Sequence, residues 1–105
     1  MNWYKVTFTP PEDERYETMQ FAEQIRSVLI DTFPNGTLPQ DFGIFLGIET
    51  DGTGNQAIYF SPVAVQFCNY LIASRNGQPC QRPQLLPGTT VIQGDLRILS
   101  ENPEQ

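Results

Sequence analysis

The hydrophobic spacing of this chain switches between a period of two and a period of three to four, and each switch falls at a proline or a glycine. Strands put alternate residues on opposite faces, and helices return to one face every third or fourth residue. Such a pattern restricts the chain to mixed α and β structure. The segment Trp3-Tyr4-Lys5-Val6-Thr7-Phe8-Thr9 alternates strictly and is rich in aromatic and β-branched residues. It predicts a strand with Tyr4, Val6 and Phe8 toward a core and Trp3, Lys5 and Thr7 on the other side. Pro10-Pro11 ends it, because proline has no N–H for a ladder.

A helix is predicted over residues 12–33, with Met19, Ala22, Ile25, Leu29 and Phe33 as its apolar stripe and Phe21 and Val28 beside it. Glu12, Asp13, Glu14 and Glu17 lie at the end where the macrodipole favours anions, and Pro34-Asn35-Gly36 stops the helix. A strand is predicted over 42–49, with Phe42, Ile44, Leu46 and Ile48 on one face. On its other face Phe45 stands between Gly43 and Gly47, which points to a bulge or a close backbone approach. Residues 50–55 form a turn cluster, and 56–60 make the return strand of a hairpin.

Ser61-Pro62 reads as an N-cap followed by proline at the first helical position. The second helix should run to about Arg75, where Asn76-Gly77 supplies a left-handed stop. Its apolar face holds Val63, Ala64, Phe67, Cys68, Leu71 and Ile72. Residues 78–88 read as an irregular loop, 89–93 as a last strand, 96–99 as a further short strand or its continuation, and 100–105 as a polar tail.

The order β-α-β-β-α-β predicts an α+β two-layer sandwich of ferredoxin-like type, a single domain over residues 1–105 with two helices on one face of an antiparallel sheet. Val6, Phe8, Ile25, Leu29, Ile44, Leu46, Phe67 and Leu71 are expected to be buried together. The first strand is central in that arrangement, so Trp3 is expected near the middle of the uncovered face.

Composition then removes functions. The chain has 0 His, which excludes imidazole acid–base catalysis and His-ligated metal sites. Residues 51–55 join two strands without the ligand spacing of a calcium loop or the Lys-Ser/Thr of a phosphate loop, so they read as a turn. Cys68 reads as a buried small hydrophobe and Cys80 as a loop thiol; a structural role is expected for both, over a redox pair or a nucleophile. The acids of the first helix read as a solvated face, and Glu49 and Asp51 have no identifiable partner. No catalytic residue, metal site or cofactor is expected, and the residues lean against enzymatic activity without deciding it.

The formal net charge is −6. Residues 1–51 carry nine acids against three bases, and 52–94 carry no carboxylate, only Arg75 and Arg82. An acidic chain repels phosphate backbones and anionic lipid, so neither nucleic acid nor membrane is expected as a partner. Met1–Pro10 has no apolar core of a secretory leader, and no apolar run approaches the roughly 20 residues of a membrane span. A cytoplasmic location is expected.

Two groups of residues remain as candidates. Trp3 and Phe45 on the uncovered sheet face suggest a partner-binding patch, unless residues 96–99 cover them. Arg75 and Arg82 flank an acid-free segment and suggest an anion site. The function expected is a non-catalytic protein-interaction or regulatory module that self-associates, as a homodimer, through a sheet face or edge. The alternative is a protein or enzyme that takes a small anionic molecule near the 75–88 loop.

Overall fold

The computed structural model describes residues 2–9, 15–49, 53 and 55–95. It is a small α+β domain. Strand β1 spans Trp3–Phe8, helix α1 Arg15–Thr32, β2 Ile44–Ile48, β3 Gln56–Phe60, α2 Pro62–Ser74, β4 Gln78–Cys80 and β5 Thr90–Ile92. The five strands form one open sheet in the order β4-β1-β3-β2-β5, and every neighbouring pair is antiparallel.

Of the β-α-β-β-α-β elements expected from the sequence, the last strand does not take its ferredoxin-like place, and the sheet has five strands. The strand read at 89–93 should have lain beside β1; it is β5, and it pairs with β2 at the far edge. The place beside β1 is taken by β4, from a segment that reads as loop, where Trp3 faces Cys80 and Tyr4 faces Pro79. A three-residue strand holding a proline has no periodicity to read, and at a sheet edge the missing N–H costs nothing. With five strands the middle position passes to β3, so Trp3, first residue of β1, sits at a corner of the sheet rather than near its centre.

Both helices pack on one face. Val6, Phe8, Ile44, Ile58 and Phe60 from the sheet meet Phe21, Ile25 and Leu29 from α1 and Ala64, Cys68, Leu71 and Ile72 from α2. Burial of such side chains stabilises by about 1.5–3 kcal/mol each, which makes this layer the main source of folding free energy. Phe33, just past the end of α1, packs edge-on to Phe67 in the middle of α2 with centroids 5.0 Å apart, which further ties the helices together. Phe67 was expected in the core and is instead 39% exposed. Ala64, Cys68, Leu71 and Ile72 keep one buried helical stripe through the non-helical backbone of Cys68 (φ −113°, ψ 15°), and Phe67 lies at the margin of that stripe. Leu46 lies at the margin of the core, half-buried.

α2 begins and ends as its sequence signals require. Ser61 caps the first turn, accepting the Ala64 N–H at 3.3 Å. At the other end the Gly77 N–H reaches the Ile72 carbonyl at 2.8 Å and the Asn76 N–H the Ala73 carbonyl at 3.1 Å, a Schellman closure. Asn76, not the glycine, takes the left-handed conformation, with φ 55°. Gly77 is needed for space, because a Cβ there would lie 2.3 Å from the Ile72 side chain. Among the described residues no helix is long and apolar enough to cross a membrane.

Candidate functional site

The face opposite the helices carries the residues that the alternation of β1 turned outward. Trp3, Phe45, Ala57, Tyr59, Cys80 and Val91 form a second apolar cluster there. Trp3 and Phe45 do meet, with ring centroids 5.2 Å apart and planes tilted by 43°. Trp3 is half-buried, but Phe45, expected to be exposed, is 5% exposed. β3 places Tyr59 directly across from Phe45, and β5 places Val91 on its other side, so the ring is hemmed in on both flanks. Residues 96–99, considered as a cover for this face, lie outside the described residues.

Arg82 completes the corner. It follows β4, which pairs with the start of β1, and its guanidinium carbon lies 5.5 Å from the centre of the Trp3 ring. Cation–π contact at this range holds the side chain in place without using its N–H donors. Beside this trio opens a cleft of about 640 Å³, lined among others by Leu38, Asp41, Phe45, Val63, Arg82 and Gln93. Its floor is fixed by Ser61. The buried hydroxyl accepts the Gly43 N–H at 2.9 Å and donates to the Asp41 carbonyl at 3.0 Å, in addition to capping α2. Asp41 is held there in the left-handed region, with φ 66°. One short side chain thus ties the approach to β2, the turn before it and the start of α2 into a single support.

Arg75 does not belong to this corner, so the two arginines do not form a joint anion site. It ends α2 on the helix side, with its guanidinium 4.5 Å over the Phe8 ring and 3.8 Å from Glu17 of α1. Strand β4 separates the two arginines in sequence and carries the chain from the helix layer to the opposite side. Arg75 therefore works as a latch between helices, and Arg82 as part of the outer surface.

A polar network that the sequence did not point to lies further along the same face. Glu49 is buried just past β2 and receives three hydrogen bonds: from Lys5 Nζ and Tyr59 Oη at 2.9 Å each, and from Thr7 Oγ1 at 3.0 Å. Burial by itself would raise the Glu49 pKa, but the bonds from Lys5, Tyr59 and Thr7 outweigh it and hold the carboxyl below its usual range. Lys5 is raised in turn, chiefly by its hydrogen bond to Glu49. Lys5 and Thr7 were legible as outward residues of β1, and Lys5 faces Tyr59 in the register with β3. The missing signal was Glu49 itself, which reads from sequence as the end of a strand.

The thiols occupy opposite sides of the sheet, Cys68 in the helix-side core and Cys80 in the outer cluster, and both are free. Burial pushes the Cys68 thiol up to about 11 and raises that of Cys80 as well. The hairpin loop read at 51–55 lies largely outside the described residues; its neck is closed by the Glu49 N–H to the Asn55 carbonyl at 2.7 Å. Comparison with protein-family models, with curated proteins and with solved structures finds no match to this chain.

Proposed function

We propose that the chain is a non-catalytic interaction module that self-associates through the corner of its helix-free face built by Trp3, Phe45 and Arg82. The observation that carries this reading is the arginine stacked on a half-buried tryptophan, itself braced by Phe45. Tryptophan and arginine dominate the energetics of protein contacts, because each covers much area and loses little freedom when already held. Phe45, Tyr59 and Ala57 act here as a rigid floor under Trp3 rather than as contact residues.

The titratable groups on the described residues support a binding role over a chemical one. Glu49 has its charge matched by Lys5 and its oxygens occupied, so it is poorly disposed to take a proton. The thiols are held in their protonated form at neutral pH and lack the lowered pKa of a nucleophile. A two-fold pairing of the Trp3 corner would bury the same aromatic surface twice, and two-fold dimers are the commonest oligomers.

Sedimentation equilibrium of wild-type protein and of Trp3→Glu tests the reading. It predicts twice the 11.9 kDa chain mass for the wild type, and chain mass for Trp3→Glu with unchanged helical circular dichroism. A wild-type chain that stays at single mass at high concentration would refute self-association.

A further inference from the structure

We infer that the cleft beside Trp3 is a binding site for a free α-amino acid with an apolar side chain. This shares the Trp3 corner with the proposed contact but does not rest on self-association. A volume of about 640 Å³ lies within the roughly 300–1,000 Å³ typical of small-molecule clefts. Its lining pairs apolar surface from Leu38, Phe45 and Val63 with one cation, Arg82, and one anion, Asp41.

These two charges are what select the ligand. Both side chains are exposed in the same cleft, and neither forms an ion pair with another described residue. Each is held from behind by something other than its charge: Arg82 by the face of Trp3, Asp41 by the hydrogen bond from Ser61 to its carbonyl. The guanidinium N–H edge is thereby left to meet a carboxylate, which it matches in plane and spacing. The Asp41 carboxylate is left to accept from an ammonium group.

A purely anionic ligand fits less well. It would meet Asp41 in the cleft and a chain of net charge −6 around it. A purely cationic ligand would meet Arg82. A zwitterion of zero net charge satisfies both groups, and an apolar side chain then lies against the hydrophobic lining. The exposed amides of Gln40 and Gln93 at the rim can serve either end of the ligand.

The probe is L-phenylalanine, with L-leucine as a second apolar amino acid, and the reporter is the emission of Trp3, the chain's 1 tryptophan. Titration should give a saturable change. N-acetyl-phenylalanine, which lacks the ammonium, and phenethylamine, which lacks the carboxylate, should each bind about tenfold or more weakly, the usual worth of a charge-assisted hydrogen bond. Arg82→Gln should weaken phenylalanine by a similar factor and bind phenethylamine as well as the wild type does. Asp41→Asn, which tolerates the same left-handed backbone, should do the same for N-acetyl-phenylalanine.

No saturable change with either amino acid overturns the inference. So does equal binding of an analogue that lacks one charge, or an Arg82→Gln protein that still prefers phenylalanine to phenethylamine. Sedimentation in parallel separates this site from the proposed dimer. Because pairing through the Trp3 corner would cover the cleft, the titration is made at a protein concentration where sedimentation shows single chain mass. A monomer that does not bind phenylalanine there refutes the site, and a chain that stays monomeric at high concentration yet binds it supports the site and refutes self-association.

Discussion

Replacing Glu49 by glutamine should destabilise the fold by about 2 kcal/mol at neutral pH. The size follows from what the substitution keeps and what it removes. Glutamine preserves the shape and can still accept at one oxygen, but it turns an NH2 group toward a donor and leaves Lys5 without its counter-charge. A hydrogen bond to a charged group contributes about 1.5–3 kcal/mol, so losing one and weakening two would exceed 2 kcal/mol in a dry interior. The Lys5 side chain is 30% exposed, however, and water takes up part of the lost interaction. For a chain of this length, about 2 kcal/mol lowers Tm by roughly 8 °C.

The pH dependence separates this network from simple packing. Glu49 has its pKa lowered on folding from an ordinary value of 4.5. Its contribution is therefore present above that value and is lost as pH falls through the folded-state pKa. Lys5 is raised above 10.5, so its contribution holds below that value and is lost as pH rises through the folded-state pKa. Urea denaturation of wild type and Glu49→Gln should give a constant difference between about pH 5 and pH 10 that shrinks in acid. A double-mutant cycle with Lys5→Met should show coupling of about 1 kcal/mol. A loss below about 0.5 kcal/mol, or one as large at about pH 3 as at neutrality, would refute the account of the network.

Two further outcomes follow from the packing. Gly77→Ala should cost about 1–3 kcal/mol in urea denaturation, because the new methyl would press on Ile72 and the Schellman closure leaves little room to shift. Cys68 should resist thiol reagents in the native state while Cys80 labels first, and a reductant should leave Tm unchanged, since the two thiols lie on opposite sides of the sheet.

Local pattern carried the parts of the fold that local physics decides. The alternation of β1 assigned Trp3, Lys5 and Thr7 to the outer face correctly, the return strand spans Gln56–Phe60 as read, and Ser61-Pro62 marks the start of α2. What escaped depends on pairing between distant residues. Gln78–Cys80 becomes a strand only because β1 offers it an edge, and the position of β5 beside β2 has no local signature. Phe67 was misplaced because it lies at the margin of the stripe formed by Ala64, Cys68, Leu71 and Ile72, where helical spacing alone does not decide burial.

The site was legible in the same degree. Trp3 and Phe45 were found by period-two reasoning and do touch. The burial of Phe45 was not visible, because it comes from neighbours on β3 and β5. Arg75 and Arg82 look equivalent in sequence, seven residues apart in an acid-free stretch. The intervening strand sends them to different layers, and only Arg82 reaches the aromatic pair. Nothing in the linear pattern marked Ser61 as more than a helix cap, although it also fixes the floor of the cleft.

The most direct test of the central claim is a dilution series of amide and indole NMR spectra on uniformly ¹⁵N-labelled protein. If the Trp3 corner is the self-contact, the Trp3 indole resonance and the amides of Phe45 and Arg82 should shift with concentration. Those of Phe67 and Tyr70, the latter 83% exposed on the helix side, should stay fixed. Spectra that do not change with concentration, or shifts confined to the helix side, would contradict the claim.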